Sequence, residues 1–264
     1  MKRLFLLLVA IAIICALRGL SQGLAWLSTA TKPAASGATT LDNNLVAYWK
    51  FDEESGTRVD DKGTNDLTDA TTTSFQAGKQ GNATDAVNDQ LTAIPGPDFA
   101  TGPGVDQSWA GWVKFDATGG ASRFVLSRYN SGSDRRGFVL YYNGGSDRIT
   151  VGTSVDGTSG TYVEQGATTF GSPATETWYF VFAFVSDTDD QIGISVNAGT
   201  VNTAAIGNGG SYNNTVDTIK FGSDMAGGNN LDGGMDEWGV WTRKLTADEV
   251  TELYNSGSGK TRPF

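Results

Sequence analysis

Residues 231–257 read LDGGMDEWGVWTRKLTADEVTELYNSG. The first half, residues 234–242, is short, aromatic and β-branched, and reads as a strand. The second half reads as a helix. Thr246 stands as its N-cap with Glu249 three residues on, the spacing at which each side chain can satisfy the other residue's amide N–H. Asp248 and Glu249 suit the positive end of the helix dipole. Val250, Leu253 and Tyr254 share one face, and Gly257 supplies the stop. A short amphipathic helix directly after a strand is expected to close an all-β domain by burying its apolar face on the edge of the sheet.

Upstream, short aromatic and β-branched runs recur between clusters of Gly, Asn, Asp and Ser. They are residues 45–51, 109–115, 123–129, 137–142, 148–153, 178–185, 191–196 and 217–221. Asn143-Gly144 and Asp156-Gly157 are hairpin signals, because both residue types accept positive φ. The 35 glycines in 264 residues are well above the usual share of roughly 7%, which suits many tight turns. No stretch between residues 45 and 240 sustains a 3.6-residue period, and no long internal repeat is evident. The expected fold is all-β: a two-sheet antiparallel jelly-roll sandwich with one short C-terminal helix.

Composition removes several chemistries. With no histidine there is no Ser-His-Asp triad, no histidine zinc site and no imidazole acid or base. The single cysteine, Cys15, allows no disulfide within the chain and no cysteine metal cluster. A net charge of −10 argues against nucleic acid as a partner, because phosphate binding draws on Lys and Arg.

Lys2 and Arg3 precede an unbroken apolar run of 14 residues, Leu4–Leu17. Such a run is short for about 30 Å of hydrocarbon but fits the core of a secretion signal. Ser28-Thr29-Ala30 offers a cleavage site. Residues 1–30 are therefore expected to be a signal peptide, and the product secreted or displayed at the cell surface. The other reading is an uncleaved anchor extending through Leu20, Leu24, Trp26 and Leu27, the one route by which the chain would touch a membrane. Residues 31–44 (TKPAASGATTLDNN) read as a linker, 45–257 as the folded domain and 258–264 as a tail.

The series LVAYWKFDEESG (45–56), WAGWVKF (109–115), TWYFVFAFV (177–185), ISVNAGTV (194–201), IKFGSD (219–224) and the closing block 231–257 resembles the laminin-G-like jelly-roll domains of the concanavalin A-like lectin/glucanase superfamily. The closing block is its most specific part. It holds a Gly, an Asp-Glu pair, an aromatic strand, the step Arg243-Lys244-Leu245-Thr246 and a capped helix ending in Leu-Tyr. The resemblance implies two antiparallel sheets, a concave face and a place for calcium, with the first and last strands side by side. On that implication Asp52 and Asp236 are the metal candidates, since calcium takes carboxylate and carbonyl oxygens and needs no histidine. The alternative is that both carboxylates cap turns or accept backbone N–H groups.

Other acids have plainer readings. Asp187-Thr188-Asp189-Asp190 lacks the Gly and distal Glu of an EF-hand loop and reads as a polar hairpin. Asp60, Asp61 and Asp66 read as residues solvating a loop. No catalytic residues are assigned. The glucanase branch of the resembled family carries Glu-x-Asp-x-x-Glu along one strand, and that spacing is absent here. Asp236 and Glu237 are adjacent, so in a regular strand they point to opposite faces.

Sugar rings present flat C–H faces that stack on aromatic side chains. Trp109, Trp112, Trp178, Trp238 and Trp241 lie in strand readings and default to the core. Tyr141, Tyr142, Tyr162 and Tyr212 lie nearer turns and are better placed for exposure, without a ligand-binding set being singled out. Ser258-Gly259-Lys260-Thr261 lacks the upstream glycine of a phosphate loop. The expected function is a non-catalytic carbohydrate-binding or adhesion module, with calcium as its cofactor and a glycan or cell-surface polysaccharide as its partner. A structural or assembly protein is the first alternative and a polysaccharide hydrolase or lyase the second.

Overall fold

The computed structural model describes residues 40–69, 74–86, 91–92, 99, 102–207 and 210–264. The leader, Cys15 and all but the last residues of the linker lie outside them. The described unit begins at Thr40. It contains β1 (Leu45–Trp49), β2 (Thr68–Asp69), β3 (Ser74–Ala77), β4 (Asn82–Asp85), β5 (Leu91–Thr92), β6 (Asp106–Phe115), β7 (Arg123–Asn130) and β8 (Arg135–Asn143). It continues with β9 (Arg148–Ser154), β10 (Tyr162–Gly166), β11 (Trp178–Ser186), β12 (Gln191–Val196), β13 (Asn202–Ala205), β14 (Lys220–Phe221), β15 (Gly233–Trp241) and helix α1 (Ala247–Tyr254). No described helix is long and apolar enough to cross a membrane.

The strands form two antiparallel sheets. One runs β13-β12-β11-β6-β15-β4-β3, with β1 also on β15; the other runs β10-β9-β8-β7-β14-β5-β2. First and last strands do lie side by side, with Ala47 opposite Val240 and Trp49 opposite Trp238. The strands that composition did not disclose, β2–β5, β10 and β13, are short, polar and at or near the sheet edges. An edge strand buries little, so it needs no hydrophobic pattern to hold its place. Of residues 217–221, only Lys220 and Phe221 enter a ladder. Asp217 is drawn away by a bidentate ion pair with Arg135, at 2.8 and 2.9 Å.

The core lies between the sheets and includes Trp49, Trp109, Val113, Phe138, Val181, Phe221 and Trp238. A second apolar cluster covers the other side of the eight-stranded sheet. There Tyr48, Trp112, Phe180, Phe182, Phe184 and Trp241 meet Leu245, Val250 and Leu253 of the helix region. This sheet is thus buried on both faces. That is why β11 reads as the unbroken apolar run WYFVFAFV rather than an alternation.

Helix α1 forms as its sequence dictates. Thr246 and Glu249 make the reciprocal capping box. Burial would raise the Glu249 carboxyl, but the Arg243 guanidinium and hydrogen bonds from Thr40 and Thr246 hold it at about 2. Thr40 and Leu41 therefore belong to the folded unit rather than to a free linker: Thr40 donates to Glu249, and the Trp241 indole N–H donates to the Leu41 carbonyl at 2.6 Å.

Gly111 of β6 faces the Trp238 indole, and a side-chain carbon at that position would enter the ring. Replacing Gly111 by Ala is expected to cost about 1–3 kcal/mol by overpacking. Urea unfolding of the variant measures this, and an unchanged midpoint would show that the indole can move aside.

Candidate functional site

Strand β15 carries a bulge. Its pairing with β6 runs to Asp236↔Trp112 and resumes at Gly239↔Ala110. Glu237 sits at the break with φ +54°, an uncommon conformation for a residue with a side chain. Asp236 lies opposite Trp112 on the helix-side face, and Glu237 reaches the same side, where the Tyr48 hydroxyl donates to it. Trp238 then turns into the core. The expectation that Asp236 and Glu237 point to opposite faces is overturned, because the extra residue breaks the two-residue alternation.

Asp52 and Asp236 meet at one structure, the hairpin between β3 and β4. Asp236 is fully buried, and its Oδ2 accepts the amide N–H groups of Lys79 at 2.6 Å and Gln80 at 2.9 Å. Exposed Asp52 accepts the Asn82 amide N–H on Oδ1 at 2.9 Å. The turn fits between them because residues 78 and 81 are glycines: side-chain carbons there would strike Asp236 and Asp52 respectively, and Gly81 has φ +59°.

Asp236 Oδ1 is buried without a hydrogen-bond partner and is a donor open to a cation. The other engaged oxygens already accept amide hydrogens. Among the described residues no group of three or more His, Cys, Asp or Glu is gathered to hold a metal ion.

Burial lifts Asp236 to about 8, with the Gln80 amide opposing and repulsion from Glu237 and Asp52 adding. Burial likewise lifts Glu237 to about 7, against hydrogen bonds from Tyr48 and Thr261. Residues 258–264 lie over this pair. The Tyr48 hydroxyl is 3.2 Å from the Lys260 carbonyl, Phe264 packs edge-on against Tyr48 at 5.3 Å, and Arg262 pairs with Asp42 and Asp61. The nearby acidic loop also has more structure than solvation requires. Asp60 is buried and accepts the amide N–H groups of Tyr48, Lys62 and Asn65, while Asp66 accepts that of Asp60. Asp187–Asp190 forms the turn between β11 and β12.

Most candidate aromatics are unavailable to a ligand. Trp109 stacks on Phe138 in the core at 4.1 Å, Trp112 lies beneath Tyr254 of α1, and Trp238 and Trp241 are fully buried. Tyr142 is fully buried and packs on Phe115. Tyr212 is half-buried near Gly157.

Tyr162 differs in being half-buried, while Tyr141 is buried but lies on the same outward side. With Phe124 and Tyr129 they form a patch on the outward face of the seven-stranded sheet. Phe124 is 6.0 Å from Tyr129 and 5.3 Å from Tyr141, and Tyr129 is 5.7 Å from Tyr162. The Tyr162 ring lies over Gly152, where a side chain would collide with it. Tyr141 donates to Glu164 at 2.6 Å and accepts from Asn143 at 3.2 Å. Burial, with Glu164 adding, pushes the Tyr141 hydroxyl well up, so it stays a neutral donor.

Beside this patch is a cleft of about 440 Å³, lined by Ser122, Phe124, Tyr129, Asn130, Asp224 and Asn229 among others. One wall is the loop after β14. The Phe124 amide donates to the Asn229 carbonyl at 2.7 Å, and Asp224 accepts from the Gly228 amide at 2.7 Å and the Asn229 side chain at 2.8 Å. Sequence reading missed Phe124 and Tyr129. Their spacing of five puts them on opposite faces of a regular strand, but a bulge at Val125 returns both to the outside.

The buried acids give a pH dependence of defined sign. Both folded pKa values exceed those of the unfolded chain, so the folded state holds more protons and stability falls as pH rises. The loss begins above the unfolded values near 4 and is complete once pH passes about 8. Urea midpoints measured with chelator from pH 5 to pH 9 are expected to decline, and Asp236→Asn is expected to flatten the curve. A flat profile in the parent protein would contradict the assignment.

A family model described as the concanavalin A-like lectin/glucanases superfamily (Laminin_G_3) matches residues 85–251. No curated protein matches the sequence. Among solved structures, the binding domain of Paraclostridial Mosquitocidal Protein 1 is similar with a TM-score of 0.66 at 13% identity, over 82% of this chain and 53% of that one. Domain 4 of AbnA, a GH43 extracellular arabinanase from Geobacillus stearothermophilus solved with arabinotriose, gives 0.61 at 14% identity, over 82% of this chain and 98% of that one. The ligand-binding domain of botulinum neurotoxin serotype D, solved with N-acetylneuraminic acid, gives 0.59 at 12% identity, over 81% and 51%. The chain thus spans about half the length of the two toxin domains. The two-sheet fold, the pairing of first and last strands and the match across residues 85–251 agree: the chain belongs to the concanavalin A-like lectin/glucanase superfamily.

Proposed function

We propose that the protein is a non-catalytic carbohydrate-binding module whose ligand lies on the outward aromatic face of the seven-stranded sheet. The observation that carries this reading is the half-buried Tyr129 ring, backed by buried Phe124, in a cleft lined with hydroxyl and amide groups and the Asp224 carboxylate. Aromatic faces hold the C–H side of a sugar ring, and a few placed polar groups read its hydroxyls. Similar folds solved with arabinotriose and with N-acetylneuraminic acid support the class of ligand. A binding role rather than a catalytic one is favoured by where the carboxyl pair lies: Asp236 and Glu237 are buried and face Tyr48 and the hairpin. The basic-then-apolar start of the sequence supports export, with the cleft presented outside the cell.

The test is titration calorimetry of the full chain against short neutral and acidic oligosaccharides. Tyr129→Ala and Tyr162→Ala are each expected to weaken the best ligand by about tenfold or more, in the range of a lost stacking contact, with an unchanged circular dichroism spectrum. Parent-like affinity in both variants would refute the location.

Calcium enters the proposal at Asp236 Oδ1, the buried oxygen without a partner, with Asp52 beside it. Millimolar calcium is expected to raise the melting temperature by a few degrees over a chelator control, as a ligand specific to the folded state does. The shift is expected to vanish in Asp236→Asn. Identical melting in calcium and chelator would remove the ion from the account.

A further inference from the structure

We infer that the cleft beside Phe124 and Tyr129 selects a neutral saccharide over an anionic one, with Asp224 as the acceptor that reads its hydroxyls; this rests on the carbohydrate-binding reading above. Among the described residues lining the cleft Asp224 is the one charged side chain, and the others that are polar are uncharged Ser, Asn and Tyr. Its carboxylate is fixed in place. Each oxygen accepts one hydrogen bond from its own loop, from the Gly228 amide and the Asn229 side chain. A carboxylate has about four lone-pair sites, so each oxygen keeps one for a ligand, and the half-buried position holds it at the cleft wall.

Two of the surrounding cations are paired with carboxylates of their own. Arg136 spans Asp134, the Gly157 carbonyl and the Ser131 carbonyl. Arg135 is held bidentately by Asp217. Arg123 donates through Nε to the Ala117 carbonyl, and Lys220 donates to the Met225 carbonyl and lies within electrostatic reach of Asp224 outside the lining. A ligand carboxylate entering the cleft would face the Asp224 carboxylate with no cation among the described lining residues, whereas a hydroxyl would donate to it in a charge-assisted hydrogen bond. The net charge of −10 works in the same direction at longer range.

Calorimetry on the full chain with arabinotriose, xylotriose and cellotriose against N-acetylneuraminic acid and trigalacturonate tests this. The best neutral trimer is expected to bind at least about tenfold more tightly than either acid, with an affinity nearly constant from about 50 to about 500 mM NaCl, because screening acts on charge pairs and not on hydroxyl contacts. Asp224→Asn is expected to weaken the neutral ligand several-fold and to narrow its advantage over the acids, while Asp224→Glu, which keeps the charge, retains the rejection of acids. Melting temperatures near the parent's show that both variants fold. Acids binding as tightly as neutral trimers, affinity falling steeply with salt, or selectivity unchanged in Asp224→Asn would each overturn the inference and leave the carbohydrate-binding reading standing. Binding of no saccharide at millimolar concentration would overturn both.

Discussion

One changeover of partners in β15 organises this molecule. Along one edge the strand pairs with β6 on both sides of the bulge. Along the other it pairs first with β4, at Gly234 and Met235, and then with β1, from Trp238 to Trp241. The residue at the changeover is Glu237, in the left-handed region, and its amide reaches the Lys50 carbonyl as β1 ends. Hydrogen-bond partners must be found for a backbone buried in mid-sheet, and the bulge is how the strand passes from one neighbour to the next. Trp238 and Asp236 take opposite sides as a consequence, and the β3–β4 hairpin closes over the carboxylate.

That arrangement places three acidic groups, Asp52, Asp236 and Glu237, within electrostatic reach of each other. Carboxyls held in such a position favour their protonated forms or a strong donor set, because desolvation penalises the charge. Asp236 takes two amide N–H groups from the hairpin and Glu237 takes the Tyr48 hydroxyl. The C-terminal residues complete the enclosure. The cluster thus joins the first strand, the last strand, the hairpin and the terminus at one end of the sandwich.

The two sheets carry different duties. The eight-stranded sheet is buried on both sides, between the inter-sheet core and α1, and its many aromatics serve packing. The seven-stranded sheet carries two half-buried rings, Tyr129 and Tyr162, beside buried Phe124 and Tyr141 on its outward face, next to the cleft walled by the loop after β14. Richness in tryptophan therefore marks packing in this chain. The face proposed for the ligand is distinguished by its polar context: Tyr129 and its neighbours Asn130 and Ser131 line the same cleft as Asp224.

Much of the architecture is legible in the residues alone. Aromatic runs between glycine-rich turns can only pay their burial cost by stacking as sheets, and the capping box with its apolar face specifies a terminal helix whatever lies around it. The absence of histidine and the single cysteine exclude whole chemistries before folding is considered. Position on a face was not legible. Asp236 with Glu237, and Phe124 with Tyr129, each violate the two-residue rule because a bulge depends on how neighbouring strands are registered, which is a long-range property. Tyr142 and Tyr141 stand side by side with the same local sequence, yet one is sealed in the core and the other joins the outer patch. Local preference decides that a segment is a strand; only the packing of two sheets and a helix decides which side of it is left facing outward.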